Sequence, residues 1–314
     1  AESKMTNPSL MDKMPRVRGK LMENVRLSKY TWFRVGGIAE ILFWPKDEQD
    51  LSKFFANIPS DVPITILGVG SNTLVRDGGI PGVTIRLGKG FQNIEISRGK
   101  IKAGAGLSNL KLAKVAKENG LSGLEFLSGI PGSLGGAIRM NAGAFEREIS
   151  DILISTRILT IGGGFEELSK RKMSFSYRSC NMSESSIFLS ADLRVNKGKI
   201  GEIESVMKSI RYRRQVQQPS KQATGGSTFI NPPGFKAWEL IENAGCRGLT
   251  IGGAQVSEKH CNFIVNLGSA TALDIEKLGN EVKRRVLEHT GIKLEWEIKR
   301  VGVHLEEVGR GIVT

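Results

Sequence analysis

The chain has 314 residues, 39% of them hydrophobic, enough for two or three compact units with real cores. Its formal net charge of +13 draws polyanions, nucleic acid and nucleotide-bearing small molecules alike, but 6% aromatic residues leave little for the stacking platforms of a nucleic-acid binder. Three cysteines, Cys180, Cys246 and Cys261, lack a CxxC pair and argue against a disulfide framework or zinc site, and no apolar run reaches the roughly 18–20 residues that span a bilayer.

In chain order, residues 1–26 open the protein with a polar stretch that has no signal-peptide core and is expected to be a flexible tail. A helix is expected over 46–57, after Pro45, and short β-rich runs punctuated by glycine at 64–67, 83–87, 93–96 and 100–103. A helix over 108–119 carries Leu110, Ala113 and Ala116 on one face and stops at Gly120. The glycine-rich stretch 122–143 is too irregular for a long element, and strands resume at 154–161 and 187–195. Ile200, Ile203, Met207 and Ile210 stand at helical spacing over 200–216, and a domain boundary is expected near the start of that helix. Beyond it come a strand at 225–230, a helix at 236–243 and a strand at 262–265. Thr271 and Asp274 then cap a helix striped by Ile275, Leu278, Val282 and Val286 and closed by Gly291, and a last strand covers 297–303. The order is α+β or mixed, without the regular βαβ alternation of a dinucleotide fold of the GxGxxG type.

Two glycine stretches stand out. Leu67-Gly68-Val69-Gly70-Ser71-Asn72-Thr73-Leu74 follows a strand and reads equally as a phosphate nest or as a glycine turn with local Asn and Ser caps. Gly129-Ile130-Pro131-Gly132-Ser133-Leu134-Gly135-Gly136-Ala137, followed by Asn141-Ala142-Gly143-Ala144, can hold backbone against a pyrophosphate, with a helix beginning near Ser133 pointing its positive end at the same group. Their separation of about 60 residues suggests one long ligand with two contact zones, such as a dinucleotide. Three further stretches are weaker on residues alone. Tyr177-Arg178 could clamp a carboxylate or be a surface turn. Gly225-Gly226-Ser227 could present a proton donor or merely open a strand. Glu295-Trp296-Glu297-Ile298-Lys299 reads as a strand whose Glu295, Glu297 and Lys299 share an ordinary solvated face. His260, His289 and His304 have no metal spacing.

These stretches in this order, together with Thr31-Trp32-Phe33-Arg34-Val35-Gly36-Gly37, Gly123-Leu124-Glu125-Phe126-Leu127-Ser128 and Gly253-Ala254-Gln255-Val256-Ser257-Glu258-Lys259-His260, resemble the UDP-N-acetylenolpyruvoylglucosamine reductase (MurB) family over about 27–302. The resemblance implies an α+β fold, a two-part FAD-binding region of the vanillyl-alcohol-oxidase (PCMH) type followed by an α+β substrate-binding domain. The implied division is 27–198 for the FAD region, split into about 27–88 and 89–198, then 199–304 for the substrate domain and 305–314 for a C-terminal tail. It also implies non-covalent FAD and NADPH, reduction of UDP-N-acetylglucosamine enolpyruvate to UDP-N-acetylmuramate, and a monomer in the cytoplasm serving peptidoglycan synthesis, with no nucleic-acid or membrane partner and no metal.

By the same resemblance, Arg178, Ser227 and Glu297 are the catalytic trio. Gly68, Gly70, Ser71, Asn72, Thr73, Gly129, Ile130, Pro131, Gly132, Ser133, Gly136, Ala137, Asn141 and Gly143 are expected to contact FAD. Tyr177, Asn231 and Lys259 are expected to contact substrate. The interval of about 50 residues from Arg178 to Ser227 matches the subclass without an inserted tyrosine loop. Ile230 stands where many members have lysine, Lys299 where arginine is usual, and Ser179-Cys180 where Asp-Ser is usual. Two other readings compete: another FAD-dependent oxidoreductase of the same fold, such as an alcohol oxidase, and a basic nucleic-acid-binding protein.

Overall fold

The computed structural model describes residues 8–162 and 164–308. Its first unit is a four-stranded sheet in the order Lys20–Arg26, Ile38–Trp44, Ile80–Ile85, Ile64–Ile66, the first pair antiparallel and the other two pairs parallel. The helix Glu48–Asn57 starts where the Asp47 carboxylate accepts from the N–H of Asp50, and it turns Leu51 and Phe54 onto the sheet against Ile41, Phe43, Val83 and Ile85. Each such fully buried side chain contributes about 1.5–3 kcal/mol by removal from water.

The tail expected over 1–26 is corrected here. Residues 20–26 form an edge strand, and the segment before them is tied down by Asp50, which is only 3% exposed. Its carboxylate accepts from the N–H groups of Arg18 at 2.8 Å, Gly19 at 2.8 Å and Lys46 at 2.9 Å. A buried carboxylate needs such donors, and here the polar opening segment supplies two of them. The parts of the two expected tails at 1–7 and 309–314 lie outside the described residues.

The second unit is an antiparallel five-stranded sheet in the order Gly164–Ser169, Leu153–Thr160, Ser186–Arg194, Lys100–Gly104, Ile94–Ser97. The helix Asn109–Glu118, capped by Ser108, packs with the short helices Glu125–Gly129 and Leu134–Arg139 over a core that includes Leu112, Phe126, Leu127, Ile138 and Phe188. Leu159, Ile187 and Leu189 join the core of the first sheet, so the two units share one hydrophobic seam. The helix Ile200–Gln217 sends Ile203 and Met207 into the core of the second unit. We therefore place the boundary of the third unit near residue 218 instead of at 199.

The third unit is an antiparallel sheet in the order Ala223–Ser227, Phe263–Asn266, Ala254–Val256, Thr250–Ile251, covered by the helices Ala237–Asn243 and Ala272–Thr290. The long helix begins at a capping box between Thr271 and Asp274, and Gly291 closes it at φ +74°, a left-handed position that suits glycine. The third unit is fastened to the first at several points. Phe33 enters its core and lies so close to Gly225 that a Cβ there would come within 2.2 Å of the ring. Lys299–Val301 runs parallel to Thr73–Val75. Asp77 accepts from the N–H groups of Ala272 at 3.0 Å and Leu273 at 2.9 Å, the positive end of the long helix.

Beside that cap, Arg76 makes a two-pronged pair with Glu276, Nε to Oε2 at 3.1 Å and Nη2 to Oε1 at 2.9 Å, and Arg300 adds Nη1 to Oε1 at 3.1 Å. Burial opposes the Glu276 carboxylate, but the two guanidinium groups outweigh it and hold its pKa below the ordinary range. Glu276→Ala strands two cations against the seam between the units; urea unfolding is expected to show a loss of about 2–3 kcal/mol, below the full cost of breaking a wholly buried pair because the arginines keep partial access to water.

Candidate active site

All three units meet around one cleft of about 660 Å³. Both glycine stretches reach it, and they face one another. A Cβ added at Gly132, which sits at φ +115°, would lie 2.8 Å from Ser71 Oγ, and one added at Gly68 would lie 3.4 Å from Ser133 Oγ. Among the described residues, none accepts a hydrogen bond from the N–H groups of Gly68, Val69, Gly70, Ser71 or Asn72. Donors of this kind, left without internal partners beside a cavity, suit an anionic ligand. The helix that begins after Ser133 offers less than expected: the N–H groups of Leu134 and Gly135 already donate to Leu107 and Ala105 at 2.9 Å each. The cradle thus fits the pyrophosphate of a dinucleotide through the first stretch, while the second supplies close-approach glycines.

Arg178, Ser227 and Glu297 all line this cleft. Arg178 occupies a two-residue turn, Tyr177-Arg178, closed by the mutual hydrogen bonds of Ser176 and Ser179, and takes a left-handed φ of +53°. Asn141 secures that turn from behind: its Nδ2 donates to the Ser176 carbonyl at 2.9 Å and its Oδ1 accepts from the Ser150 N–H at 2.9 Å. The arginine then donates through Nη2 to the Gly143 carbonyl at 3.2 Å and pairs through Nε with Glu297 Oε1 at 3.4 Å.

Ser227 stands at the end of Ala223–Ser227, just after an irregularity in the pairing that spans Gly225 and Gly226, where Gly226 has φ +81°. That kink turns the strand end toward the cleft, and Ser227 Oγ has no hydrogen-bond partner among the described residues. Glu297 is delivered by the other pairing of this region. Asn72 Nδ2 donates to the Glu297 carbonyl at 3.1 Å, and the Lys299 N–H donates to the Asn72 carbonyl at 3.0 Å. One residue of the first glycine stretch therefore sets the position of the acid.

The solvated-face reading holds for Glu295 and Lys299, which are exposed, and fails for Glu297. Glu295 is 65% exposed, whereas the Glu297 side chain is 15% exposed and sits inside the cleft. Burial pushes the Glu297 pKa up to about 7, against the opposing pull of Arg178. Lys299, in place of an arginine, makes a point contact with Glu184 at 2.9 Å at the rim of the same cleft.

Of the residues expected at the site, Gly68, Gly70, Ser71, Asn72, Thr73, Gly129, Ile130, Pro131, Gly132, Ser133, Gly136, Ala137 and Gly143 line the cleft. Four do not. Asn141 is fully buried behind the Arg178 turn. Tyr177 is exposed and lies under the Arg178 guanidinium at 4.9 Å. Asn231 Oδ1 accepts from the Ala237 N–H at 2.9 Å and so caps a helix. Lys259 is exposed and donates through Nζ to the Gln215 carbonyl. Conversely, Arg86 and Arg214 line the cleft without having been picked out as ligand contacts. The second stands near the end of the helix Ile200–Gln217, in a run with Arg211 and Arg213.

Comparisons with known proteins find relatives over nearly the whole chain. Residues 39–169 match a family model described as an FAD binding domain, and residues 218–301 match one described as the C-terminal domain of UDP-N-acetylenolpyruvoylglucosamine reductase. The chain is 51% identical to the UDP-N-acetylenolpyruvoylglucosamine reductase of Azorhizobium caulinodans, over 94% of this chain and 96% of that one. It is 53% identical to that of Paramagnetospirillum magneticum, over 93% and 95%. A crystal structure of the Thermus caldophilus enzyme is similar at a TM-score of 0.78 and 34% identity, covering 91% of this chain and all of the other.

Proposed function

The chain belongs to the UDP-N-acetylenolpyruvoylglucosamine reductase family, and on that premise we propose that Arg178, Ser227 and Glu297 carry its reaction. That reaction is the NADPH-dependent reduction of UDP-N-acetylglucosamine enolpyruvate to UDP-N-acetylmuramate with FAD as cofactor, in peptidoglycan precursor synthesis. The observation that supports these assignments is that the three side chains and the two facing glycine stretches line the same cleft. We further propose that the enzyme works as a monomer, a reading supported by one chain's supplying all three residues. We also propose a cytoplasmic location, which the use of NADPH and a nucleotide sugar supports.

When bound, FAD supplies the hydride. The chain's own residues deal with the charge that follows. Addition of hydride to the distal carbon of the enol ether drives negative charge onto the substrate carboxylate. Arg178 meets that charge with a fixed cation already oriented by Gly143 and Glu297. Glu297 assists in its protonated form, since an ionised carboxylate there would repel the charge. Its burial favours the protonated form. Ser227 Oγ gives its proton to the adjacent carbon.

The test is optical. The purified protein is expected to show the two-banded visible spectrum of oxidised flavin, to bleach with NADPH under argon, and to regain colour when the enolpyruvyl sugar is added. A protein that stays colourless after incubation with FAD defeats the reading. One that reoxidises with oxygen during turnover of a small alcohol, and not with the sugar, supports an alcohol oxidase instead.

A further inference from the structure

The cationic groups at the cleft differ in how their charge is met. Arg178 pairs with Glu297 and Lys299 with Glu184. Arg139 is held by the carbonyls of Met182, Ser183 and Ser186. Arg214 makes no ion pair among the described residues, but its Nε donates to Gln218 Oε1 at 3.4 Å, whereas Arg86 makes neither an ion pair nor, through its guanidinium, a hydrogen bond among the described residues. What holds it is an aromatic face, the Tyr30 ring at 4.8 Å, which is itself braced edge-on by Trp44 at 5.8 Å.

That clamp puts the guanidinium beside the first glycine stretch. Arg86 follows Ile85, whose carbonyl accepts from the Leu67 N–H at 2.9 Å, and the Gly70 backbone lies so close to Tyr30 that an added Cβ would sit 2.2 Å from its carbonyl. Arg86 and Gly68 to Asn72 thus meet at one corner of the cleft, with the Tyr30 ring behind the guanidinium. Burial without a counter-charge pushes the Arg86 pKa down, a cost that an anion at this corner would offset. The partnerless amides of the glycine stretch bring dipoles to a phosphate but no net charge, so a doubly charged pyrophosphate held there alone would be under-compensated.

We propose that Arg86, oriented by stacking on Tyr30, is the counter-cation of the FAD pyrophosphate. The proposal rests on the reading of this cleft as the FAD site. It adds that affinity depends on one buried charge supplied from the strand behind the glycine stretch, in addition to the stretch itself. An arginine suits the position because its planar group can stack and donate at once.

The test uses full-length protein stripped of flavin, with the FAD Kd read from the quenching of flavin fluorescence and the fold checked by thermal melting. In Arg86→Met, the Kd at low salt is expected to rise at least tenfold. Arg86→Lys, which keeps the charge without the stack, is expected to fall between the two. Equal affinity at low salt in folded Arg86→Met overturns the proposal, as does a loss equally large in folded Arg86→Lys, which would make Arg86 a packing residue and not a counter-charge. Wild-type protein that binds no FAD would instead overturn the reading of the cleft itself.

Discussion

Ser227→Ala is expected to separate the two halves of the reaction: NADPH bleaches the bound flavin at close to the wild-type rate, while turnover of the enolpyruvyl sugar falls by about 10²–10⁴-fold, the usual weight of a positioned general acid. Removing a hydroxyl that has no partner among the described residues leaves no polar group stranded, so fold and FAD content should be unchanged. The loss belongs to the second half alone because Ser227 enters only when the carbanion-like carbon needs its proton. Anaerobic stopped-flow absorbance, with each half-reaction run by itself, makes the measurement. If flavin reduction by NADPH slows as much as sugar reduction in a folded variant, Ser227 is not the proton donor.

The residues around Ser227 show what sequence could and could not convey. Both glycine stretches were legible because each holds a position that demands glycine: Gly70, at φ +72°, where an added Cβ would sit 2.2 Å from the Tyr30 carbonyl, and Gly132, at φ +115°. The long helix was legible from its capping box and its stripe of Ile275, Leu278, Val282 and Val286, all fully buried or nearly so. The strand Ile38–Trp44 was not, because its alternation, with Ile38 and Glu40 exposed, lasts only to Ala39 and Glu40 before the buried run Ile41-Leu42-Phe43 replaces it. Ser227, Arg178 and Glu297 were each ordinary in isolation. They became a candidate site only through their order along the chain, since the contacts that unite them span the whole sequence. Asn72, for instance, reaches the Glu297 carbonyl across 225 positions. Asn141 was assigned to the flavin, yet it grips the turn that presents Arg178. A side chain one layer behind a ligand carries the same residue type as one that touches it. Arg86 was missed because nothing in its strand shows that the guanidinium lacks a carboxylate.

Glu297 offers the second large effect, and its sign follows from burial. With a pKa near 7 in the free protein, about half of the molecules carry the proton at neutral pH. If the protonated form is the competent one, kcat/KM is flat below about pH 6 and falls toward tenfold per unit above about pH 8, since this parameter reports the free enzyme. Glu297→Gln keeps a neutral donor of similar shape but loses the adjustable proton, so the rate is expected to drop about 10²-fold and the alkaline fall to disappear. Stability should move the other way. A carboxyl group whose folded pKa lies above its unfolded value stabilises fully below the unfolded pKa, and that contribution is lost as pH rises through the folded one. The glutamine variant should therefore match wild type near pH 4.5 and exceed it at pH 8 by on the order of 2 kcal/mol, readable by urea unfolding at the two pH values. A wild-type kcat/KM that rises through pH 7 would mean that the ionised carboxylate is the working form. In that case Arg178, 3.4 Å away, would serve to hold the charge of Glu297 instead of the charge that develops on the substrate.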